Sequence, residues 1–102
     1  MDEQRRVAAF VDRHGLEADP AYRALDLVSE VGEVAKEVNL STDYGATAEV
    51  AVAEDEIGDA LFALLALLAL AEGVDVDAGR ALETAIAKYE ARLGASGDAG
   101  SA

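Results

Sequence analysis

Twelve consecutive residues, Ala60 to Ala71 (ALFALLALLALA), carry no polar side chain. The run is too short to cross a membrane, which takes roughly 20 residues. As a helix it is apolar on nearly every side, so other elements of the fold must cover it. The surrounding pattern extends this third helix from about Glu49 to Glu72, with Gly73 as its stop.

Three amphipathic helices accompany it, and no segment reads as a strand. The first spans about Asp2 to His14, with Val7, Ala8, Phe10 and Val11 at helical spacing and Gly15 as its C-terminal stop. Asp19-Pro20 opens the second, an N-cap followed by proline at the first helical position. It runs to about Leu40, and the polar stretch Ser41 to Ala48 is a loop. Asp75 or Asp77 caps the fourth helix, which runs to about Leu93 and stops at Gly94. The expected architecture is all-α: a four-helix bundle-like domain over residues 1–94 with a buried central third helix, assembling as an oligomer. The small-residue stretch Ala95 to Ala102 is expected to be a disordered tail.

Composition excludes several function classes. The 102 residues hold 8 Lys+Arg against 21 Asp+Glu, a net charge of -13. Phosphate backbones and anionic membrane surfaces would repel such a chain, so neither a nucleic-acid polymer nor a membrane is an expected partner. The absence of cysteine removes disulfides and thiol chemistry, and the single histidine, His14, rules out a multi-histidine metal site in one chain. The N-terminal residues do not form a secretory signal, so a cytoplasmic setting is expected. Only two of the basic residues are lysines, Lys36 and Lys88. An acidic, lysine-poor surface fits a halophilic setting, where salt screens the self-repulsion.

The chemistry sits in the acids. Asp26, Glu30, Glu33 and Glu37 fall within a wedge of roughly 60° on the second helix. The apolar stripe Leu27, Val31, Val34 and Val38 lies beside it, so the acids border the buried face. On the third helix Glu56 and Asp59 share a face one turn before the apolar run. Charge entering a buried helix needs a partner or a cation. The two helices repeat one local pattern, Glu30-Val-Gly-Glu33 and Glu56-Ile-Gly-Asp59. Glu30, Glu33, Glu56 and Asp59 form a hard oxygen-donor set suited to Mg²⁺ or Mn²⁺ with retained waters. The bland reading, a solvated acidic face, stays open for the second helix taken alone.

This ordered set resembles the all-α nucleotide pyrophosphohydrolases of the MazG-like type. Leu27-Val-Ser-Glu-Val-Gly-Glu-Val-Ala-Lys36 is similar to that family's second-helix signature, and Glu56-Ile-Gly-Asp-Ala-Leu-Phe62 to its third. Gly73-Val-Asp-Val and Lys88-Tyr-Glu-Ala-Arg92 resemble its closing segment. The resemblance implies Mg²⁺-dependent hydrolysis of a nucleoside triphosphate between the α and β phosphates, giving a monophosphate and pyrophosphate. It implies metal ligation by Glu30, Glu33, Glu56 and Asp59, with Glu30 and Glu33 catalytic and Glu33 the general base. It also implies phosphate contacts from Lys88, Arg92 and Lys36, and a homodimer or homotetramer.

One residue departs from the pattern: Ser29 stands where many members have the first acid of a Glu-Glu pair. Two other readings stay open. One is a non-catalytic helical dimerisation module with a solubilising acidic surface. The other is a member that binds nucleotide without turnover, for which Ser29 is the hint. Among the remaining singled-out residues, His14 reads as a helix-end cap, Phe62 as core and Tyr44 as a loop anchor.

Overall fold

The computed structural model describes residues 2–70 and 76–96, without the side chains of 70, 95 and 96. The described residues form four helices and no strand: α1 (Asp2–Arg13), α2 (Pro20–Ser41), α3 (Glu54–Leu70) and α4 (Ala78–Ser96). None of them is long and apolar enough to cross a membrane.

The turn after α1 is built on Gly15 at φ 61°. The Leu16 N–H donates to the Val11 carbonyl at 3.0 Å and the Gly15 N–H to that of Asp12 at 3.3 Å. This left-handed closure is the conformation glycine enters without a Cβ penalty. Asp19 accepts the Ala21 N–H at 2.8 Å on its carboxylate, with Pro20 at the first turn of α2. Asp77 caps α4, taking the Arg80 N–H at 2.8 Å on its carboxylate and the Ala81 N–H at 2.9 Å on its carbonyl. Asp75 lies outside the described residues.

Two boundaries differ from the sequence reading. α3 begins at Glu54 rather than near Glu49, because the N–H groups of Ala51 and Ala53 donate to side chains on α2. α4 passes through Gly94 to Ser96. An interior glycine costs a helix about 1 kcal/mol but does not end it without a left-handed turn. The expected stop of α3 at Gly73, and the tail beyond residue 96, lie outside the described residues.

α3 packs against both α2 and α1. The fully buried side chains are few and mostly small: Val11, Ala63, Leu65 and Ala66. Alanines at two of these positions let the helices close on one another. Phe10 of α1 meets Phe62 of α3 edge to face, with ring centroids 5.9 Å apart, a favoured aromatic geometry. Arg23 of α2 is buried, and its Nη2 donates to the Leu16 carbonyl, fastening the α1–α2 connection to α2.

α3 is therefore central, but it is covered on two sides rather than nearly all. Leu61 stays 46% exposed and Leu64 41%. Among the described residues, α4 makes no comparable packing with another helix. Its start is held by Gln4, whose Nε2 donates to the Val76 carbonyl at 2.8 Å and whose Oε1 accepts the Ala78 N–H at 2.7 Å. Ile57, Leu61 and Leu64 leave an open apolar row on α3, and Leu82, Ile86, Tyr89 and Leu93 leave another on α4.

Candidate metal centre

α2 and α3 run side by side with their acidic faces turned inward near the start of α3. Glu30, Glu56 and Asp59 each place a carboxylate oxygen within 4.8 Å of the other two. Glu30 and Glu56 are half-buried, whereas Asp59 is exposed. The i, i+3 spacing of Glu56 and Asp59 puts both on the α2-facing side of α3, and Glu30 meets them from across the helix pair.

The electrostatics are those of crowded carboxylates. The Glu30 carboxyl is held above the usual glutamate range first by its partial burial, then by the charges of Asp59, Asp26 and Glu33. Glu56 is raised first by burial, then by Glu37, Asp55, Asp59 and Glu33. In both cases the surroundings disfavour the charged form. An octahedral site with metal–oxygen bonds near 2.1 Å places ligand oxygens about 3 to 4 Å apart. The observed spread, within 4.8 Å, is close to that. Three hard carboxylates with no nitrogen or sulfur donor fit Mg²⁺ or Mn²⁺.

The other singled-out residues distribute differently. Glu33 is exposed and outside this trio, yet its charge acts on both Glu30 and Glu56. Lys36 is exposed on α2. Lys88 and Arg92 lie on α4 beside Tyr89, with Nζ of Lys88 4.9 Å and Cζ of Arg92 5.7 Å from the ring centroid. Among the described residues, α4 does not pack along α2 or α3 as those two pack on each other. The His14 ring meets that of Phe10 at a tilt of 50° with centroids 4.6 Å apart, and Tyr44 is exposed at φ 54° in the α2–α3 loop. A Cβ at Gly32 or Gly58 would meet nothing within 4 Å, so helix packing within one chain does not require either glycine. Glu37, read from sequence only as part of the acidic stripe, accepts the Ala53 N–H at 2.8 Å.

The model of the MazG nucleotide pyrophosphohydrolase domain matches residues 21–94, which takes in nearly all of α2, all of α3, and α4 as far as Gly94. No curated protein and no solved structure gives a significant match.

Proposed function

The chain belongs to the MazG nucleotide pyrophosphohydrolase family, and on that premise we propose that it hydrolyses a nucleoside triphosphate between the α and β phosphates, releasing a nucleoside monophosphate and pyrophosphate. The observation that carries this reading is the convergence of Glu30, Glu56 and Asp59 within 4.8 Å.

In this reading the three carboxylates hold Mg²⁺, with Mn²⁺ as a substitute. Such an ion, when bound, would offset polyphosphate charge and make the attacking water more acidic. Glu33 lies outside the trio but close enough to act on two of its members, which suits a general base. It takes the water proton as the oxygen bonds to phosphorus, and the α–β bridging oxygen departs with the leaving phosphate group. Lys36 remains a candidate phosphate contact from α2.

Lys88 and Arg92 serve the phosphates only if an α4 is brought over the acids. A homodimer or homotetramer supplies the occasion. The unpartnered rows on α3 and α4 are what such an assembly would bury, and contiguous exposed apolar surface marks interaction sites. The catalytic unit is residues 1–94, working on a cytoplasmic nucleotide.

The test is a screen of ribo- and deoxyribonucleoside triphosphates with Mg²⁺ at low and high salt, reading pyrophosphate release. Turnover lost with EDTA and in Glu56→Gln supports the reading. Metal-independent turnover, or none across the panel, overturns it.

A further inference from the structure

Glu37 stands at the end of the acidic stripe of α2 but does not join the converging trio. Its Oε2 accepts the N–H of Ala53 at 2.8 Å. Ala53 is the N-cap of α3: its carbonyl accepts the N–H groups of Glu56 at 3.1 Å and Ile57 at 3.3 Å. Alanine is a poor residue there, because it has no side-chain acceptor for the orphan donors of the first turn. One turn along α2, Ser41 Oγ accepts the Ala51 N–H at 3.0 Å while donating to the Val38 carbonyl at 2.9 Å. Two side chains of α2 thus fasten the segment that leads into α3.

Glu56 occupies the third position of α3. A glutamate there commonly reaches back to the N-cap N–H, the second half of a capping box. In this chain Glu37 already accepts that N–H, and the Glu56 carboxylate converges instead with Glu30 and Asp59.

We propose that Glu37 is a positioning residue for the acid site: by taking the Ala53 N–H it fixes the start of α3 on α2 and leaves the Glu56 carboxylate available to a divalent cation. The inference rests on the reading that Glu30, Glu56 and Asp59 hold that cation. Glu37 acts as an acceptor of the right reach, and its charge, which also acts on Glu56, is the smaller part of its role.

Two mild variants separate reach from charge. Glu37→Gln keeps the reach and an acceptor oxygen but loses the charge. Glu37→Asp keeps the charge but is one methylene short. Mn²⁺ binding to the full chain is followed by the signal of free Mn²⁺ in electron paramagnetic resonance, with circular dichroism confirming equal helix content. Removing a group that orients a metal ligand weakens affinity about 10-fold or more, and that loss is expected for Glu37→Asp. Glu37→Gln is expected to stay within about threefold of the wild type, the remainder reflecting one lost negative charge near the site. The reverse order, equal losses, or no loss in either variant overturns the positioning role. A wild-type chain that binds no Mn²⁺ overturns the metal reading itself, which is a separate and recognisable failure.

Discussion

Glu30 of α2 and Asp59 of α3 hold carboxylate oxygens within 4.8 Å of each other, with Glu56 completing the triangle. Like charges this close disfavour one another's ionised form. The packing of α2 on α3 brings these carboxylates together. The chain therefore carries carboxylate repulsion that a bound divalent cation would relieve.

Metal should stabilise the fold. A cation held at about ten times its dissociation constant adds about 1.4 kcal/mol by mass action, which is several degrees in Tm for a domain of this length. Thermal scans with millimolar MgCl₂ should show that rise against NaCl of equal ionic strength. Identical melting curves would contradict a site on Glu30, Glu56 and Asp59.

The acids give the metal-free protein a pH dependence of definite sign. Glu30 and Glu56 are raised above the ordinary value of 4.5 in the folded chain. The folded state then binds more protons than the unfolded state between that value and the raised ones. Their contribution to stability falls as pH rises through this window. Cation binding needs the ionised forms, so the Mg²⁺-induced gain falls in the opposite direction, as pH drops. Urea unfolding across the window should show both slopes, and Glu30→Gln should flatten the metal-free one relative to wild type.

Charge removal at the acids separates ligand from base. Glu56→Gln and Asp59→Asn should leave metal-free stability level or higher, because they relieve repulsion. Both should shrink the Mg²⁺-induced rise in Tm and cut turnover by orders of magnitude. Glu33→Gln should keep most of the Mg²⁺ effect while losing turnover about 100-fold or more, the scale of a missing general base. Glu54→Gln is the control, since Glu54 is exposed and about 160° around the helix from Glu56. Calorimetry and initial rates on the four variants check the pattern, and a comparable loss at Glu54 would mean that the helix face is assigned wrongly.

Much of this was legible in the sequence. Gly15 and Asp19-Pro20 place the α1–α2 turn because their backbone preferences are local. The acids of α2 and α3 announce their shared faces because helical spacing alone sets those. The start of α3 was not legible. Glu49 to Ala53 has nothing that forbids a helix, and the partners that claim its N–H groups, Glu37 and Ser41, lie on another helix. The looseness of α4 was equally hidden. Its Leu82, Ile86, Tyr89, Leu93 row has the spacing of a packed face, but spacing does not say which surface will cover it.

Assembly has its own test. Leu64→Glu sets a charge in the open row of α3, where the side chain is 41% exposed in one chain. It should dissociate a wild-type dimer or tetramer with helix content retained, as read by light scattering coupled to size exclusion. A wild-type chain of 10.5 kDa in solution would contradict the proposed assembly.

The acid triangle itself is tested most directly by anomalous diffraction at the manganese edge, on crystals grown with Mn²⁺ and an α,β-methylene nucleoside triphosphate. The predicted result is a peak within bonding distance of the carboxylates of Glu30, Glu56 and Asp59, bridged to the nucleotide phosphates. Nucleotide bound with no manganese at those three residues, or manganese held elsewhere, would contradict it.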